Sequence, residues 1–459
     1  MFIEELPKKQ LLGRERKHRK TKVSTITSNH LADPKAKDFV RCQFRQSHKS
    51  RPFYVVLLIV FIFDTRRVLQ AIALSSPDFS SKPQKMASVA AAAVASQRPI
   101  VSEIVLQCSD GVRLAAQSWR RGSASPVEPR ADSTGPVTRR ILCLHGWMDN
   151  CRSFHYLAPE LVNKFPSPSP AANSNSYEDV EVVALDLPGH GLSSHNSKDG
   201  PPTQLAAAAY YVSEAVEQLQ WYKPPQSPNT PQEENPCNNK FTLVGHSMGA
   251  AVSCLYAAAF PEQVEKLVLL EGVGPLARKA RDVAQHVRLH VQRRQMGNKS
   301  ESFNGKRIYP SLEKAVETRC FTARKFPGKQ YLSVEAAREM VSRGSRTVSL
   351  PNQDGREEQI GDMNGNTGVQ FIHDPRLQWP SLQYFTVEQT EALYQDVQCP
   401  TALIIGEDGW PFEEESMGRC LDLLEPKVVK TLPGSHHLHA DPDTAPAVAD
   451  EVCKFLYEM

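Results

Sequence analysis

The sequence predicts an α/β architecture: a mostly parallel sheet with flanking helices and an inserted helical cap. Three observations carry this. The stretch 241–256 passes from apolar and β-branched residues through Gly245-His246-Ser247-Met248-Gly249 into an Ala/Leu-rich run with helical spacing. Strand and helix patterns alternate from 101 to 271, and the inner strands are continuous apolar runs of the kind buried on both faces of a parallel sheet. Residues 272–398 then separate two strand patterns, far more chain than a crossover requires.

In chain order, 103–107 and 112–119 flank Ser109-Asp110-Gly111 and read as a β-hairpin. A polar loop at 121–137 leads to the apolar strand 140–147, and a Ser/Pro/Asn loop near 164–176 to the strand 180–186. The Ala-rich stretch 203–222 reads as a helix, and a Pro/Asn/Gln loop at 223–239 precedes the strand that ends in the Gly245–Gly249 turn. That turn must reverse a strand into a helix within a few residues, which forces Ser247 into a strained conformation with its hydroxyl presented. Glycines flank it because a Cβ would strike neighbouring backbone. A strand at 263–271 follows. The segment 274–396 is expected to be a mainly helical cap with a disordered polar loop at 345–368, and 399–406, 427–432 and 443–457 read as strand, strand and closing helix. The expected domains are a leader (1–98), a core built from two chain segments (99–273 and 397–459), and the cap between them (274–396).

The formal charge of +3 hides an asymmetry: residues 1–52 carry 14 Lys/Arg against 5 Asp/Glu, or +9, leaving −6 for the rest. Such a basic, aromatic-poor leader reads as solvated or targeting sequence, and no nucleic-acid module is present in it. The apolar run Phe53 to Phe63 is 11 residues long, short of the ~20 that a spanning helix needs. It suits a signal-peptide core or a membrane-surface anchor, so membrane contact stands as the less favoured alternative to a cytoplasmic protein. Met86 reads as a second start just ahead of the first strand, so the leader is expected to lie outside the fold. The 10 cysteines form no C-x-x-C pair, and Cys143 and Cys254 fall within apolar strand and helix patterns, which favours a reducing compartment.

Four ordered motifs resemble the α/β-hydrolase superfamily, and more closely its serine hydrolase-like proteins: Leu144-His145-Gly146-Trp147, Asp186 through Gly191, Gly245 through Gly249, and Gly434 through His439. The cap segment 373–377 shares the likeness more weakly, and the resemblance covers about 101–459.

A serine nucleophile needs a histidine within reach and a carboxylate to orient it, in the chain order Ser, Asp/Glu, His. Ser247 is the expected nucleophile. Among His436, His437 and His439, the family pattern places the base directly after Gly-x, which selects His436; the other two read as loop residues. The resemblance puts the acid three residues after Gly406, where this chain has Gly409. Asp408, one residue early, is the preferred acid, with Glu271, at the end of the strand after the helix that leaves the Gly245–Gly249 turn (the elbow), as the alternative. The backbone N–H groups of Trp147 and Met248 are the expected oxyanion hole, with Gly146 kept small for substrate approach. Asp186, His190 and Gly191 read as structural.

The expected function is therefore a serine hydrolase that cleaves a small carboxylic ester or related acyl substrate through an acyl-enzyme, without cofactor or metal. The alternative is a non-catalytic ligand-binding scaffold, motivated by the displaced acid.

Overall fold

The computed structural model describes residues 99–121, 138–165, 179–197, 205–222, 240–299, 307–350, 367–379, 381 and 384–458. The leader, its apolar run and the domain boundary at 98 lie outside these residues.

Strands β1 (Ile100–Gln107) and β2 (Arg113–Arg120) form the expected antiparallel hairpin. Strand β3 (Thr138–Leu144), helix α1 (Leu157–Lys164), strand β4 (Asp179–Leu185), helix α2 (Leu205–Gln218), strand β5 (Phe241–His246), helix α3 (Met248–Ala259) and strand β6 (Val264–Leu270) then alternate as the pattern predicts. After the cap come β12 (Thr401–Asp408) and β13 (Val428–Ser435). The eight-stranded sheet runs β1-β2-β4-β3-β5-β6-β12-β13. The pairs from β4 to β13 are parallel, and β2 joins β4 antiparallel.

Each inner strand feeds two cores because successive side chains point to opposite faces. On β3, Leu142 and Leu144 pack with helices α2 and α3, whereas Ile141 and Cys143 pack with α1 and the C-terminal helix at Ala445–Glu458. Cys143 and Cys254 are fully buried, as their apolar context predicts, and the eight described cysteines are free thiols.

The cap begins with a two-residue strand β7 (Ala277–Arg278) and helix α4 (Val283–Lys299), followed by β8 (Ile308–Tyr309), α5 (Leu312–Ala323), α6 (Val334–Arg343), β9 (Ser345–Ser349), β10 (Thr367–Phe371), β11 (Phe385–Thr386) and α7 (Val387–Asp396). It is helical in the main, with one difference from expectation. Both ends of the polar stretch 345–368 are ordered, since β9 and β10 pair antiparallel and β8 adds a third strand. The residues between them, 351–366, lie outside the described ones.

Cap and core are tied by charge. Arg343, at the end of α6, donates from Nε to Asp186 at 2.8 Å and from Nη1 to Glu103 at 3.0 Å. Asp186 also accepts the Cys151 and Leu192 backbone N–H groups, each at 2.8 Å. A Cβ on Gly191, whose φ is +50°, would stand 2.3 Å from that carboxylate. Asp186 and Gly191 thus have the structural part expected of them.

Candidate active site

Strands β3, β5, β6 and β13 end on one edge of the sheet, and the candidate residues sit on the loops leaving those ends. This is where a parallel α/β sheet collects its functional groups.

Ser247 has φ 52° and ψ −112° and immediately precedes helix α3. Its N–H donates to Leu270 O at 3.0 Å, which fixes the turn against the end of β6. Its hydroxyl has no hydrogen-bond partner among the described residues. A Cβ on Gly245 would lie 2.4 Å from Gly249 O, and one on Gly249 would lie 2.0 Å from Leu144 O. Both glycines are required because strand, turn and helix pass within backbone contact. Met248 is the first residue of α3, so its N–H has no acceptor within the helix.

Glu271 follows β6 in a left-handed conformation, φ 49°. That conformation turns its side chain under His436, whose Nδ1–H donates to Glu271 Oε2 at 2.9 Å. The carboxylate is 1% exposed. Its burial is offset by two backbone donors, Gly406 N–H to Oε1 at 2.6 Å and Trp410 N–H to Oε2 at 2.7 Å.

Asp408, the preferred acid, is not brought to His436. It is 43% exposed in its side chain and faces Lys329 at 3.6 Å. The carboxylate at His436 is that of Glu271, the alternative. A Cβ on Gly409 would meet Glu271 Oε1 at 2.2 Å, so the missing side chain at the family's usual acid position leaves the space that Glu271 fills from another strand. The two sites substitute for one another in space, which no reading along the chain can see.

His437 and His439 lie in the turn after β13, as the loop reading has it, yet both are buried, with exposures of 6% and 0%. His437 Nε2–H donates to Asp149 at 3.2 Å. His439 packs against His246 with ring centroids 4.1 Å apart and the rings tilted by 37°. His246 Nε2–H donates to the carbonyl of His436 at 2.8 Å. Arg319 of α5 reaches Asp149 at 2.6 Å. His437, Arg319 and His246 together hold the Asp149 carboxyl well below the usual range, although burial alone would raise it. Among the described residues no His/Cys/Asp/Glu group has the geometry of a metal site.

Trp147 is 41% exposed, and its indole Nε1–H donates to Leu377 O of the cap at 2.9 Å. A Cβ on Gly146 would lie 2.8 Å from His246 Nδ1 and 3.0 Å from Asp149 Oδ2. The small residue is therefore needed for packing against His246, a reason different from substrate approach. Asp149, Arg319 and Gln330 escaped the sequence reading. Only Asp149 carried a signal, its place two residues after Trp147.

The buried histidines give a prediction. Burial lowers His145 to about 4 and His190 to about 3. It also lowers His246, His437 and His439, the first and last of these strongly. A histidine depressed in the folded state takes up its proton only on unfolding once pH falls below about 6.5. Stability is then full above that pH and is lost progressively below it, towards the folded values. Tm is expected to fall steeply between about pH 6.5 and 5, with more than one proton taken up on unfolding; a Tm unchanged over this window would contradict the neutral cluster. Asp149 acts in a separate window, below about pH 4.

A family model for the alpha/beta hydrolase fold matches residues 139–443. A serine hydrolase-like protein of Dictyostelium discoideum is 25% identical over 78% of this chain and 82% of its own length. One of Danio rerio is 28% identical over 75% of this chain and 90% of its own. The crystal structure of a hypothetical protein from Pseudomonas aeruginosa PAO1 superposes with a TM-score of 0.56 at 29% identity, covering 78% of this chain and 99% of that one. The chain therefore belongs to the α/β-hydrolase fold family, and within it groups with the serine hydrolase-like proteins.

Proposed function

We propose that the protein is a serine hydrolase that cleaves a small carboxylic ester or related acyl substrate through an acyl-enzyme, with Ser247 as nucleophile, His436 as base and Glu271 as acid. The observation that carries the reading is the 2.9 Å contact of His436 Nδ1 with a buried carboxylate on the same sheet edge as a strained serine elbow.

In this reading His436 Nε2 accepts the Ser247 proton as Oγ attacks the acyl carbon, and later returns a proton to the leaving alkoxide. Glu271 orients the imidazole and stabilises its protonated form. The Met248 and Trp147 N–H groups, helped by the N-terminus of α3, meet the oxyanion. Water activated by His436 then releases the acid and restores the serine. Serine–histidine gaps commonly close only when substrate is bound, so the unpartnered hydroxyl fits a nucleophile awaiting its acyl group.

The alternative reading as a non-catalytic scaffold drew on the displaced acid, and the Glu271 carboxylate against His436 weighs against it. Among the described residues no helix is long and apolar enough to cross a membrane, and the cytoplasmic assignment remains a proposal.

A fluorophosphonate probe tests the mechanism. The protein is expected to label once, at Ser247, and Ser247→Ala to leave it unlabelled. Folded wild type that stays unlabelled and turns over no member of an ester and thioester panel would sink the proposal.

A further inference from the structure

We propose that Gln330, carried by the cap, is a positioning residue that sets His436 against Glu271; the inference rests on the proposed triad. Gln330 lies between α5 and α6 and is 6% exposed. Its Oε1 accepts the His436 backbone N–H at 2.9 Å, and its Nε2 donates to Gly409 O at 2.7 Å and to Pro327 O at 3.1 Å. The partners fix the orientation of the amide, because an N–H only donates and a carbonyl only accepts.

The two ends of this one side chain reach the two loops whose spacing matters. Gly409 belongs to the 406–410 turn, whose Gly406 and Trp410 N–H groups hold the Glu271 carboxylate. The other end holds the backbone of the residue whose ring meets that carboxylate. The next residue of the cap continues the seam, since Ser435 Oγ–H donates to Tyr331 O at 2.6 Å. The segment itself is tightly built: Gly328 has φ +86°, and a Cβ there would lie 3.2 Å from Gln330 Nε2 and 3.3 Å from Gly409 O. The core strands bring Glu271 and His436 to the same edge, and the cap amide sets the last fraction of an ångström. The cap is thus a component of the catalytic alignment as well as a cover.

Gln330→Met keeps the length and volume of the side chain and removes all three hydrogen bonds, leaving the part-buried His436 N–H without its acceptor. The His436 Nδ1–H proton, sheltered by Glu271, should give a downfield proton NMR resonance in the free protein, identified by its loss in His436→Ala. In Gln330→Met this resonance is expected to broaden or move, with kcat down about tenfold or more and KM within about twofold. An unchanged resonance together with unchanged kcat overturns the proposal, and so does a loss confined to Tm. If Gln330→Met fails to fold, Gln330→Glu serves, since it keeps an acceptor for His436 N–H but turns a carboxylate on Gly409 O; wild-type resonance and kcat in that variant would equally overturn it. The resonance needs no turnover, so failure of the hydrolase reading, seen as absent labelling, is distinguishable from failure of this one.

Discussion

Ser247→Ala is expected to lower kcat by roughly 10⁶-fold on any substrate the wild type turns over, and His436→Ala by a similar factor. The decisive outcome is the double variant. Nucleophile and base act as one unit, because an uncharged serine hydroxyl is a poor nucleophile and a histidine without that hydroxyl has no proton to take. Ser247→Ala/His436→Ala should therefore be no slower than either single variant, with a residual acceleration from the Trp147 and Met248 N–H groups. Losses that multiply would mean that the two side chains act independently, and His436 would not be the base.

Glu271→Gln is expected to lower turnover by about 10⁴-fold, whereas Asp408→Asn should change it by less than about tenfold. The difference follows from surroundings. The Glu271 carboxylate is buried with His436 Nδ1 and two backbone N–H groups upon it, and an amide there presents the wrong hydrogen-bonding face to the ring. Asp408 stands half in solvent beside Lys329, where a surface pair contributes little. Gly409 sharpens the test. Gly409→Asp alone would press a second carboxyl into the space of the first, since even a Cβ stands 2.2 Å from Glu271 Oε1. In Glu271→Ala that space opens, and Glu271→Ala/Gly409→Asp is expected to be at least about tenfold faster than Glu271→Ala. Thermal melts of each variant separate loss of chemistry from loss of fold. The reverse ranking of Glu271→Gln and Asp408→Asn would return the acid to the β12 loop.

The backbone strain fits this division of roles. Among the described residues Met148, Ser247 and Glu271 are three of the five non-glycine positions with positive φ, and all three lie at the edge where the candidate site forms. A left-handed conformation at a residue with a side chain costs on the order of 1–3 kcal/mol. Here it re-aims the loop after β3, the nucleophile and the acid within single turns, which regular strand or helix geometry would not do.

The sequence by itself determined the architecture and the serine turn, while the histidine after Gly434-Ser435 was singled out by the family resemblance. The first two are local matters. Alternation of apolar runs with helical spacing specifies a layered parallel sheet, because each strand must bury both faces, and Gly245 and Gly249 are dictated by backbone that passes close within the same motif. The tertiary structure decided what depends on approach between distant segments. Along the chain Asp408 is the preferred acid and Glu271 the alternative, and only the packing of β6 beside β12, with Gly409 left empty of side chain, brings the Glu271 carboxylate to His436 instead. His437 and His439 read only as loop residues, and their burial comes about once His246, Asp149 and Arg319 close around them. Gln330 carries no pattern at all, since one amide in a connecting segment acquires meaning only when two loops, 79 and 106 residues away, arrive at its two ends.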